Sequence, residues 1–194
     1  MDMDIKKIII PFGNDCCLAH QLAIYNYREF ALPFDWIKSD LKNIINCIQD
    51  NFTDFLELEL LQKKNYSDNF PLLNKEEILN TTNTNTLRVV NTKYNFHFVH
   101  EFQCDILSEH PFILEKYNRR IERFNNLMMD CNIQKILVNI GKPNDKKYED
   151  TLHKLFISKN YSNFKFVFLD TTNFGSTLSW KREEYDWKTF FNSL

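Results

Sequence analysis

Apolar positions along the chain switch between short unbroken or alternating runs and stripes of helical period. The first run, "IKKIIIPFG" at 5–13, is a β-branched block stopped by Pro11 and Gly13, as in a buried strand. The period then becomes helical, with Leu18, Leu22 and Tyr25 at i, i+4 and i+7. Asp15 is placed to cap this helix and Cys16 falls in its first turn. "ALPFDW" reads as extended or turn, because Pro33 biases Leu32 out of the helical region. A second helix, after Ser39, carries Leu41, Ile44, Ile45 and Ile48. The polar stretch from about 62 to 86 reads as a long surface excursion with at most a short helix.

"LRVVNTKYNFHFVHEF" (87–102) alternates and predicts a hairpin turning near Lys93 to Asn95. In "HPFILEKYNRRIERFNNLMMD" Pro111 marks a first helical turn, and Ile113, Tyr117, Ile121, Phe124 and Met128 line one stripe. "KILVNIG" (135–141), "DKKYEDTLHKLF" and "FKFVFLD" (164–170) form a strand–helix–strand unit, and "REEYDWKTFFNSL" closes the chain as a short helix. The brief "NTTNTNT" is a loop rather than a boundary, so residues 1–194 read as one domain.

Strands alternating with helices predict an α/β fold: a single three-layer αβα domain with a mostly parallel sheet, plus a β-hairpin. The unbroken run Ile8 to Ile10 places the first strand inside that sheet. The chain has only three glycines, Gly13, Gly141 and Gly175, and each follows a predicted strand. Carboxyl ends of strands are where an open α/β sheet holds its ligand.

Composition narrows the function classes. Hydrophobic residues make up 43% and aromatics 15%, so the chain can bury a core and is not disordered for lack of one. A net charge of −2 and a pI near 6.2 give no basic field for nucleic acid and no polybasic patch for a membrane surface. No run approaches the ~18 apolar residues of a membrane span. The start, "MDMDIKK", is too acidic for a signal peptide, so a soluble cytoplasmic protein is expected. Five irregularly spaced cysteines, at 16, 17, 47, 104 and 131, read as reduced thiols.

The junction "PFGNDCCLAHQL" concentrates the candidate chemistry. A cysteine at a helix start meets the positive end of the helix dipole and unpaired amides, which favour a thiolate and hold an oxyanion. The alternative is a small buried hydrophobe. Cys17 points about 100° away from its neighbour and reads as packing. Cys16, Cys17 and His20 lack a second ligand cluster, so no metal and no cofactor is expected. A thiol nucleophile needs a base. His100, sharing a strand face with Phe96 and Phe98, is the histidine in an apolar strand downstream; His110 and His153 read as surface. Asp35, between Phe34 and Trp36, is either a turn former or helix cap, or the group that orients the base or contacts substrate. Arg119, Arg120 and Arg123 form a solvated helix face from which Arg120 can reach an acidic substrate.

These residues resemble a known family, the putative papain-like cysteine peptidases, a domain of unknown function found in bacteria and large DNA viruses. The likeness is carried by Gly13, Cys16 and Ala19, then Pro33 to Trp36, then Phe98, His100, Glu101 and Phe102, and then the arginine-rich helix, in that order. The resemblance implies Cys16 as nucleophile and His100 as base; Asp35 is the candidate third group, and Gly13, Asn14, Trp36 and Arg120 are the candidates to bind the substrate. It implies a hydrolase or acyl-transferase acting on a peptide, isopeptide or ester. The alternative is a non-catalytic or glycan-pathway accessory protein. Glu101 stands where the family usually has Asp. No Gln precedes Cys16 at papain spacing and a strand leads into it, so an open α/β sheet is expected rather than two papain lobes.

Overall fold

In the structure, a computed structural model, the described residues are 5–14, 16–64, 86–142, 144–170, 174 and 181–194. The predicted Asp15 cap, most of the 62–86 excursion and Gly175 lie outside them. Lys6–Pro11 forms strand β1, and Ile133–Gly141 forms β6. After β6 come the helix Glu149–Ser158 and strand β7, Phe164–Asp170. These three strands are parallel, in the order β1–β6–β7. The predicted strand–helix–strand unit is therefore present.

The placement of β1 differs from expectation, since it lies at the edge of this sheet. The centre goes to β6, whose Lys135–Gly141 stretch is buried throughout. Its two faces enter different cores. Leu137 joins Ile8, Ile10 and Phe12, while Ile136, Val138 and Ile140 join Ile9, Leu18, Leu22 and Trp187. That alternation fixes the register, because a one-residue slip would exchange the two sets.

The remaining strands form a second, antiparallel sheet instead of extending the first. Its order is β2 (Ile37–Lys38), β5 (Phe96–Phe102), β4 (Leu87–Asn91) and β3 (Leu61–Lys63). The predicted hairpin is its centre, turning through residues 92–95 with Asn95 at φ 52°. Among the described residues the architecture is thus mixed α/β with two sheets, and its parallel part has three strands. The larger core draws on both sheets, with Phe12 edge-on to Phe34 and Phe34 against Phe96.

Helix α1 spans Cys17–Ile24, α2 spans Leu41–Gln49, and the long α3 spans Ile106–Met129. The start of α3 lies four residues before the predicted stretch. The Asp105 carboxylate accepts from the Ser108 amide at 2.8 Å, and Glu109 accepts from the Gln103 and Asp105 amides. This cap outweighs Pro111 as a start signal and leaves the proline inside the helix.

Candidate active site

The turn after β1 is shaped by two residues with left-handed backbone, Gly13 at φ +105° and Asn14 at φ 71°. Phe12 extends the ladder to Val138 at 2.9 Å, and its carbonyl accepts from Asn139 Nδ2 at 2.8 Å. Asn14 then pairs with Ser39, at 2.9 and 3.3 Å, which ties the end of β1 to the antiparallel sheet. A Cβ on Gly13 would meet Asn139 Nδ2 and Ile44 Cδ1, each at 3.0 Å. Gly13→Ala is therefore expected to cost about 1–3 kcal/mol in urea unfolding, because strain and crowding act together.

Cys16 sits immediately before α1 rather than inside its first turn. Its carbonyl accepts the first helical bond, from His20 N at 3.0 Å, and its side chain is buried at 5% exposure. The following amides have no acceptor within the helix, so a partial positive charge faces this position. Cys17 turns to the opposite core and donates to the Lys181 carbonyl at 3.4 Å. Among the described residues, no three or more His, Cys, Asp or Glu side chains are grouped to hold a metal.

His100 reaches Cys16 through an irregularity of the second sheet. Val89 pairs with Phe98 but Leu87 pairs with Phe102, so a step of two residues on β4 spans a step of four on β5. Simple alternation puts His100 on the apolar face with Phe96 and Phe98. The bulge instead leaves Phe98, Glu101 and Phe102 buried and turns His100 outward. Its Nε2 lies 3.8 Å from Cys16 Sγ, within reach of a thiol hydrogen bond. The neutral pair has the thiol donating to Nε2, which places the ring proton on Nδ1.

Although His100 is exposed at one side, its ring lies against Trp36 at a centroid distance of 6.0 Å and an interplanar angle of 90°. Desolvation there holds the imidazole below its ordinary value, Lys38 adds to the effect, and Glu101 opposes it. A histidine shifted this way stays neutral, and so basic, to lower pH.

The other expected site residues divide. Asp35, 1% exposed, does not meet His100 in any contact among the described residues. Its Oδ2 accepts from Arg28 Nε at 3.1 Å, from Arg28 Nη2 at 2.8 Å and from the Leu32 amide at 3.0 Å. Its buried Oδ1 accepts nothing among the described residues. Trp36 does reach the site, as the wall against His100, with Arg28 lying 5.3 Å over its ring. Arg120 is held elsewhere: it pairs with Glu101 at 3.3 Å and lies 4.8 Å over the Tyr117 ring. Glu101 is also held by Lys116 and by Tyr117 Oη at 3.0 Å, so it faces α3 and not the thiol. His110 and His153 are more occupied than surface residues. His110 bonds the Leu56 carbonyl at 2.7 Å, and the His153 ring is 5.1 Å from that of Phe166. Arg28 went unnoticed in the sequence, where an arginine seven positions before Asp35 has no helical or strand spacing to mark it.

Residues 7–170, which contain the turn, the bulge, Cys16 and His100, match the family described as putative papain-like cysteine peptidase. The chain belongs to that family. An uncharacterized protein of Acanthamoeba polyphaga mimivirus is 27% identical over 218 residues, covering 96% of this chain and 97% of that protein. No solved structure matches the chain. Among the described residues, no helix is long and apolar enough to cross a membrane.

Proposed function

We propose that this member of the family is a cysteine hydrolase or acyl-transferase in which Cys16 is the nucleophile and His100 the general base. The observation that carries the reading is the 3.8 Å approach of Cys16 Sγ to His100 Nε2, made by two different sheets and requiring both a left-handed turn and a bulge. The thiol proton passes to Nε2 as sulfur attacks the substrate carbonyl carbon. The amides that open α1 stabilise the oxygen as it becomes negative. The carbon–nitrogen or carbon–oxygen bond then breaks, and the leaving group takes the proton from His100. Water or another acceptor, deprotonated by the same imidazole, attacks the thioester and restores the thiol. The substrates this chemistry fits are peptide, isopeptide or ester carbonyls. A non-catalytic member with the same fold would lack the acyl intermediate.

Incubation with p-nitrophenyl acetate tests the reading. One equivalent of nitrophenol should appear in a burst, with the acetyl group on Cys16 by mass spectrometry. Acetylation spread over several residues, unchanged in His100→Ala, would refute it. Because His100 is held below its ordinary value, the acidic limb of kcat/KM should fall below pH ~6.5. A limb at or above that value would show that the base is a histidine in a different environment.

A further inference from the structure

We propose that Arg28 and Trp36 form the device that holds His100 against Cys16, and that Asp35 acts on the catalytic pair only through them. The inference rests on the Cys16–His100 reading above and adds two positioning residues to it. Three contacts make a chain. Asp35 fixes the Arg28 guanidinium with two donations to one oxygen, at 3.1 and 2.8 Å, and the Leu32 amide holds that oxygen from the backbone. The guanidinium lies 5.3 Å over the Trp36 ring. The Trp36 ring stands perpendicular to His100 at 6.0 Å.

Each link has a physical need for the next. The bulge puts His100 on an exposed strand position, where an imidazole has several rotamers open to it. Apart from Cys16, its ring has no hydrogen bond among the described residues, so Trp36 is the wall that limits its swing. Trp36 is itself only half-buried, in the segment leading into the two-residue strand β2, and needs a partner of its own. A planar cation stacks on an indole and grips a carboxylate in one posture, which an ammonium does not do. The buried carboxylate of the Pro-Phe-Asp-Trp segment therefore serves the base at one remove.

The experiment reads the rate of Cys16 alkylation by iodoacetamide against pH, with melting temperature recorded for each protein. A histidine-paired thiol reacts well below the pKa of about 8.5 of a free one, giving a low-pH limb. His100→Ala sets the rate without pairing. Trp36→Leu should lose the limb, falling at least about tenfold at pH 6.5 towards the His100→Ala rate. Arg28→Lys should lose a large part of it with the charge retained. Trp36→Phe, which keeps a ring, should retain most of it. A merely structural role predicts lower melting temperatures with an unchanged limb, and that result overturns the inference while leaving the Cys16–His100 pair intact. If wild type and His100→Ala share one profile, the pair itself fails and the inference falls with it. Should Trp36→Leu not fold, Arg28→Lys carries the test, and a full limb there overturns the role of Arg28.

Discussion

His100→Ala is expected to lower kcat/KM for an activated ester by about 10²–10⁴-fold while the protein stays folded. Cys16→Ala is expected to leave only the uncatalysed rate. Combining the two changes should add little to the loss from Cys16→Ala alone, because the residues act as one unit. The fold should survive His100→Ala because the imidazole supports little of the core. It lies on the outer side of the bulge, while Phe98 and Phe102, its neighbours in alternation, are each 0% exposed. Cys16 is more enclosed at 5% exposure, so serine, closer in size, is the better probe of whether a stability change confuses the rate. The measurement is burst kinetics beside circular dichroism on all three proteins. An ester turnover that survives Cys16→Ser within tenfold would remove the thiol from the chemistry, since a hydroxyl is a far weaker nucleophile with a histidine placed for sulfur.

Much of this arrangement is legible in the sequence. The glycine after an isoleucine run located the turn, because only a left-handed residue permits a strand to feed a helix so abruptly. The hairpin and the βαβ unit followed from alternation and spacing. Three features were hidden, each for a physical reason. The edge position of β1 depends on which apolar run takes the centre, and the strand runs at 8–10 and 135–141 carry the same signal. The separate antiparallel sheet is not readable from the sequence because β2 and β3 have only two and three residues, too short to show a period. The bulge at His100 breaks alternation by two residues, and a sequence read by alternation assigns the histidine to the wrong face. The same limit hid Arg28, whose partnership with Asp35 runs through a turn and not along an element. Asp35, expected as a turn former or as the group that orients the base, pairs with a cation rather than the imidazole.

Arg28 and Asp35 should respond differently to truncation, and pH should widen the difference. Asp35→Asn keeps an oxygen for the Leu32 amide and removes a carboxylate that is 1% exposed. It leaves the Arg28 charge without a counter-ion, but that side chain is 20% exposed and can turn its charge to water. The expected loss is about 1.5–3 kcal/mol at pH 5, the worth of hydrogen bonds to a charged group, and it shrinks towards pH 8, because the wild-type carboxyl, held above its ordinary value, itself loses stability as pH climbs. Arg28→Ala instead strands the carboxylate. Burial already pushes the Asp35 carboxyl above its ordinary value, and Arg28 and the Leu32 amide pull it back. Without the guanidinium the folded value rises further. A carboxyl held higher when folded than unfolded keeps its proton longer in the folded chain. Its contribution is therefore complete below the unfolded value, about 4, and is lost as pH climbs through the folded one. Arg28→Ala should thus cost about 3–5 kcal/mol at pH 8 and distinctly less at pH 5. Urea unfolding of both variants at the two pH values measures this, and parallel losses would mean that Asp35 does not carry the charge assigned to it. Arg28→Met with Asp35→Asn removes both charges and should be more stable at pH 8 than Arg28→Ala alone, since no buried charge is left without a counter-ion. It should not recover the low-pH reactivity of Cys16, because thioether and amide restore packing without the planar cation that stacks on Trp36.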